Sequence, residues 1–143
     1  MFRKLTETVY ASPQIGMEDI AEAAASGFTL IINNRPDDEE AGQINGSAIE
    51  ASARAAGIGY VAIPVTHTGF SQPQVAAMRD ALAKSAGGKV LAYCRSGTRS
   101  TLLWSLAEAS RGENPDELAA CAAGAGYDLS PVRALVDMLA AGA

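Results

Sequence analysis

Eleven residues, Val90-Leu-Ala-Tyr-Cys94-Arg-Ser-Gly97-Thr-Arg99-Ser100, restrict what this chain can fold into more than any other stretch. A short apolar run ends at a cysteine, a glycine follows, and Leu102, Leu103, Leu106 and Ala107 then recur at helical spacing. Strand, tight loop and helix is the arrangement this spacing predicts. It places Cys94 where the strand stops. Successive loop N–H groups then turn inward as an anion nest, and the positive end of the following helix points at the sulfur. Both favour the thiolate, the nucleophilic form of cysteine. Arg99 adds a planar fork that can grip a tetrahedral oxyanion with two hydrogen bonds, which a lysine cannot do.

Elsewhere strand and helix patterns alternate. Thr6–Tyr10 reads as a short strand broken at Ser12-Pro13, and Met17–Ser26 as a helix ended by Gly27. Phe28–Ile32 is an unbroken apolar run, a buried strand, which gives way to the polar loop Asn33–Glu40. Ser47–Ala56 is a second amphipathic helix, Gly57–Gly59 a turn, and Tyr60–Val65 a strand whose pairing stops on one side at Pro64. A helix from Ser71 to about Ala86, closed by Gly87-Gly88, precedes the strand Lys89–Tyr93, and the helix after the cysteine loop runs from about Arg99 to Ser110. Two more helices have legible starts at Asn114-Pro115 and Ser130-Pro131. The expected fold is α/β in three layers, a mostly parallel central sheet flanked by helices. At 143 residues it forms one domain, 1–143, with enough apolar area for a core. In such sheets sites gather at the carboxyl ends of strands, so the loops after Ile32, Val65 and Tyr93 should meet.

Composition narrows the chemistry. Two cysteines and one histidine leave no plausible zinc spacing, so no metal and no cofactor is expected. Cys94 lies in a glycine-containing loop and Cys121 in an alanine-rich helix, a pattern that fits a reducing cytoplasm better than export. Cys121 reads as a small core residue, and Trp104 as core. The start, Met1-Phe-Arg-Lys-Leu-Thr-Glu-Thr, has no apolar run of leader length, and no later run approaches the roughly 20 apolar residues of a membrane span. A net charge of −5 without a basic stripe argues against nucleic acid as a partner.

Tyr93-Cys94-Arg95-Ser96-Gly97-Thr98-Arg99-Ser100 resembles, almost letter for letter, the active-site loop of rhodanese-type sulfurtransferases. It resembles less closely the loop of cysteine-dependent tyrosine and dual-specificity phosphatases, His-Cys-x-x-Gly-x-x-Arg-Ser/Thr. Tyr93 stands where those have histidine, and Thr98 alone separates Gly97 from Arg99, so the loop is one residue shorter. A shorter loop makes a narrower cradle, better matched to one sulfur than to a phosphoryl group. Together with Asn34-Arg35-Pro36-Asp37 and Tyr60–Val65, the cysteine loop resembles the phosphatase-like domain of the beta-lactamase hydrolase-like protein family. That resemblance implies a dual-specificity-phosphatase-like fold and an association with sulfur transfer. Some members are fused to a metallo-β-lactamase-type hydrolase related to persulfide dioxygenases. This sequence carries no such domain, so the resemblance implies such a partner only as a separate protein.

The candidate catalytic residues are Cys94 as nucleophile, Arg99 for the oxyanion, and Ser100 as a hydrogen-bond donor to the thiolate. Candidate substrate-binding residues are Arg95, Ser96, Gly97 and Thr98 in the cysteine loop, Arg35 and Asp37 in the first loop, and His67 in the second. Arg35 and Asp37 could instead pair with each other. A phosphatase of this kind needs an acid for the leaving oxygen, yet the loop after Val65 reads Thr66-His67-Thr68-Gly69-Phe70, without a carboxylate. His67 could replace it, imidazole being suited to proton transfer near neutrality, or Asp37 or Asp38 could. The leading reading is a sulfurtransferase: Cys94 takes a sulfane sulfur from thiosulfate or a persulfide and hands it to a small thiol. The alternatives are a phosphatase acting on a phosphate ester through a phosphocysteine, and a non-catalytic module binding anions or sensing redox state through an exposed Cys94.

Overall fold

The computed structural model describes residues 2–143; Met1 lies outside them. The described elements are β1 (Arg3–Lys4), β2 (Val9–Ser12), α1 (Met17–Ala25), β3 (Phe28–Asn33), α2 (Gly46–Ala55), β4 (Gly59–Ala62), α3 (Gln72–Lys84), β5 (Lys89–Tyr93), α4 (Thr98–Ser110), α5 (Pro115–Gly124) and α6 (Arg133–Ala141). The five strands form one sheet in the order β1-β2-β5-β3-β4, parallel except for β1 at the edge. This is the three-layer α/β architecture expected.

Alternation along the strands sorts the core into two layers. Ile31, Leu91 and Tyr93 pack on one face against Ile20 and Ala23 of α1 and Ile49 and Ala53 of α2. Ile32, Val90 and Ala92 face α3, α4, α5 and α6 on the other. Helix α4 is buried all round, with Leu103, Trp104, Leu106 and Ala107 all inaccessible, because α3 and α6 close over it. That burial anchors the helix whose first turn carries Arg99 and Ser100. Among the described residues no helix is long and apolar enough to cross a membrane.

Two expected elements differ. Thr6–Thr8 is a turn, because the Thr6 hydroxyl accepts the Thr8 and Val9 N–H groups at 3.2 and 3.0 Å, and the strand begins only at Val9. Ser130 does not cap the last helix. Asp128 Oδ1 accepts both its N–H and its hydroxyl, Ser130–Val132 forms a 3₁₀ turn, and α6 starts at Arg133. Strand β4 ends at Ala62, yet Ile63 and Val65 still donate N–H to Asn33 and Asn34 around Pro64, which sends the following loop toward the site.

Candidate active site

Register brings the site together. Ser12, Tyr93 and Asn33 end three neighbouring parallel strands side by side, and the pairing is prolonged by Asn34 N–H to Tyr93 O at 2.8 Å and Cys94 N–H to Ser12 O at 3.3 Å. Cys94 is thereby the first residue past the central strand. It is fully buried, at 0 % exposure, which corrects the expectation of an exposed sensor thiol. Gly97 takes φ +93°, turning its N–H onto Cys94 Sγ at 3.1 Å as it caps α4. The Ser96 hydroxyl accepts the Thr98 N–H and donates to Thr98 Oγ1, which stiffens the turn. Arg95 points outward with a 69 % exposed side chain, 4.0 Å from Glu40.

The three expected loops converge on Arg99. Its Nη1 donates to Glu39 Oε2 at 2.7 Å and to the Val65 carbonyl at 2.7 Å, and its Nη2 to Glu39 Oε1 at 2.9 Å. Arg35, only 3 % exposed, donates to Glu39 and Glu40 at 2.9 and 2.8 Å and to Gln14 Oε1 at 3.0 Å. Arg35 and Asp37 are therefore not a pair. Asp37 Oδ1 instead accepts the Gly46 N–H at the start of α2, 2.8 Å away. Asp38 occupies the left-handed region at φ 63°, and the loop turns there between Asp37 and Glu39.

Charge follows geometry. The Arg99 guanidinium, and after burial's opposing effect Arg35, hold the Glu39 carboxyl down at about 2. Arg99 is raised above its ordinary value, chiefly by the hydrogen bond to Glu39, with Cys94 close enough to add to it. Burial works against the Arg35 charge, but the hydrogen bonds to Glu40 and Glu39 outweigh it. His67 is exposed and lines, with Pro36, Glu39, Thr66 and Arg99, an open depression of about 390 Å³. Ser100 Oγ is buried and has no hydrogen-bond partner among the described residues, so the expected bond from Ser100 to the thiolate is not made.

A family model for the phosphatase-like domain of beta-lactamase hydrolase-like proteins matches residues 1–111. The chain belongs to this family. A beta-lactamase hydrolase-like protein of Xylella fastidiosa is 36% identical over 126 residues, covering 87% of this chain but 29% of the relative. This phosphatase-like chain thus spans under a third of that relative's length. The crystal structure of a "putative phosphatase" from Neisseria meningitidis superposes with a TM-score of 0.83 at 37% identity, covering 96% of this chain and 97% of that one. TpbA of P. aeruginosa, solved in complex with pTyr, shares the fold at a TM-score of 0.66 and 17% identity, over 96% of this chain and 86% of its own.

Sequence reasoning missed Glu39, Glu40, Gln14 and Tyr127. Glu39 is one of four consecutive acids, Asp37–Glu40, and nothing in their order marks the one that reaches Arg99.

Proposed function

We propose that this phosphatase-like chain is a cysteine-based enzyme in which the Cys94 thiolate takes up the transferring group of a small anion, with phosphate monoesters as the substrate class. The observation that carries the reading is the Gly97 N–H on Cys94 Sγ at the head of α4, with Arg99 beside it. Sulfur attacks phosphorus, the ester P–O bond breaks, and the leaving oxygen takes a proton from His67 in the depression. Water then cleaves the S–P bond and releases phosphate. The Neisseria likeness supports this class, and TpbA shows the fold holding phosphotyrosine.

Sulfane sulfur transfer is the second reading, favoured by one observation. Glu39, the carboxyl beside Arg99 in the depression, is held ionised and has no proton to give. General acid catalysis is worth about 10²–10⁴ in rate, so an ester oxygen depends on His67 alone for its proton. Sulfite leaves thiosulfate as a stable anion and needs no such help. In that reaction Cys94 attacks the outer sulfur, the S–S bond breaks, sulfite departs, and a small thiol takes the sulfur from the Cys94 persulfide.

Intact mass after thiosulfate, paired with aryl phosphate turnover, tests both. Phosphate release that disappears in Cys94→Ser, with no added sulfur, supports the first reading. One added sulfur on Cys94 with negligible phosphate release replaces it by the second. Neither reaction in the wild type overturns both.

A further inference from the structure

We propose that Tyr127 is a positioning residue that fixes the orientation of the Ser96–Gly97 peptide and, through it, the hydrogen bond accepted by Cys94. The two ends of this one peptide unit are held by different groups. The Ser96 carbonyl accepts the Tyr127 hydroxyl at 3.0 Å, and the Gly97 N–H donates to Cys94 Sγ at 3.1 Å. In a trans peptide the carbonyl and the N–H point to opposite sides of the chain, so holding one aims the other.

The loop needs such a restraint. Gly97 sits at φ +93°, and a Cβ there would lie 2.0 Å from Tyr127 Oη, so no side chain fits while the tyrosine is in place. Glycine, however, passes readily between left- and right-handed conformations, which leaves the preceding peptide free to rotate. Rotated, it would set the Ser96 carbonyl oxygen against the sulfur and repel a thiolate. The phenol prevents this by giving that oxygen a donor on the far side.

Tyr127 is itself well held. It is 8 % exposed, its N–H donates to Ala122 O at 2.9 Å, and the Arg3 guanidinium lies over its ring at 5.0 Å. Burial pushes its hydroxyl up from the ordinary tyrosine value, which keeps it protonated and a donor. It also lies beyond residues 1–111, the part matched by the family model, so the loop after α5 contributes to the site. The inference rests on Cys94 as the reacting atom, but one of its two tests does not.

Tyr127→Phe keeps the ring and its Arg3 contact, and removes the hydroxyl that donates to Ser96. In amide NMR and hydrogen exchange the wild-type Gly97 N–H should be protected, and Tyr127→Phe should expose it. Removing one preorganised donor costs about 10²–10³ in rate, and a peptide that rotates part of the time should lose less, about 10-fold in Cys94 alkylation by iodoacetate. Arg3→Ala, which leaves the hydroxyl in place, should alkylate as the wild type does. A wild-type Gly97 amide that exchanges freely overturns the proposal without any variant. So does Tyr127→Phe with an unchanged Gly97 amide, or Arg3→Ala slowing alkylation equally while the Gly97 amide stays protected. A protected Gly97 amide that Tyr127→Phe exposes, in a protein with no turnover on any substrate, would overturn the function proposed above and leave this inference standing.

Discussion

Arg99 meets Glu39 through one edge of its guanidinium, Nη1 to Oε2 at 2.7 Å and Nη2 to Oε1 at 2.9 Å. The second Nη1 hydrogen goes to the Val65 carbonyl; Nε and the remaining Nη2 hydrogen have no oxygen or nitrogen partner among the described residues, and Cys94 is close enough to add to the Arg99 charge. A guanidinium has five N–H groups on a rigid plane. Glu39 and Val65 can therefore fix its position from one side while the other edge, Nε and Nη2, is left for an oxyanion. Glu39 acts on this view as a positioning carboxylate, and Arg35 with Glu40 holds it in turn.

Arg99→Lys should then be nearly as damaging as Arg99→Ala. A lysine offers one nitrogen, which cannot bridge both Glu39 oxygens and Val65 and still present a planar edge to substrate. The expected loss is about 10²-fold or more in the rate of adduct formation, the range for an oxyanion donor. Arg95→Ala should fall within about threefold of wild type, because its exposed side chain lies outside the loop and exposed ion pairs contribute little. Single-turnover kinetics of the three variants check this, and a lysine at position 99 that restores most of the rate would reduce Arg99 to a point charge.

Acid should loosen the site in a defined window. Glu39 titrates at about 2 in the folded chain, against an ordinary value of 4.5, and Glu40 is lowered too by its hydrogen bond to Arg35. A depressed carboxyl contributes stability that is complete above its unfolded value and disappears as pH falls toward the folded one. Melting temperature should accordingly drop between about pH 4.5 and 2 by more in the wild type than in Glu39→Gln. Parallel melting curves for the two proteins over that range would show that the Glu39–Arg99 pair adds nothing to stability.

Much of this arrangement was legible in the residues, and the parts that were not have physical causes. The segment around Cys94 declares itself because an apolar strand, a glycine and a periodic helix each carry a separate signal. The meeting of three loops at Arg99 follows from the sheet, whose parallel strands all end at the same edge. Identity of partners within a loop is another matter. Asp37 attracted attention as an acid near Arg35, but its carboxylate caps α2, and Glu39 two residues on reaches Arg99. A single left-handed residue, Asp38, lies between them. Ser130-Pro131 looked like a helix start because serine suits both caps and turns, and Asp128 settled it as a turn. Tyr127 stands alone between Gly126 and Asp128, so no periodicity points to it; only the folded path brings it to Ser96.

The two cysteines should differ by reagent charge. Cys94 is buried with the Gly97 N–H on its sulfur and Arg99 beside it, whereas Cys121 is half-buried on α5 among alanines. Iodoacetate should label Cys94 faster than neutral iodoacetamide does, an inversion of the usual order, and Cys121 should show no such preference. Labelling rates in Cys94→Ser and Cys121→Ser separate the two sites. An iodoacetamide preference at both cysteines would mean that the loop does not concentrate anions.

Ser100 carries the last prediction. Its hydroxyl is fully buried on the first turn of α4, next to Arg99, and has no hydrogen-bond partner among the described residues. A buried polar group left unpaired costs about 1–3 kcal/mol, so Ser100→Ala should fold at least as stably as the wild type. The hydroxyl has no structural bond to lose. Its use would come when sulfur must leave again: as an adduct on Cys94 breaks down, negative charge returns to the sulfur, and a change of the Ser100 rotamer would let its O–H donate there. A hydrogen bond to a charged group is worth about 1.5–3 kcal/mol, which corresponds to a breakdown step slower by about 10- to 100-fold in Ser100→Ala. Adduct formation should change far less, because Arg99 and Gly97 act in that step. Rapid mixing followed by intact mass resolves the two steps: the covalent species should form on time and then accumulate. If both steps run at wild-type rates, Ser100 is only a small residue that lets α4 pack close to the sheet.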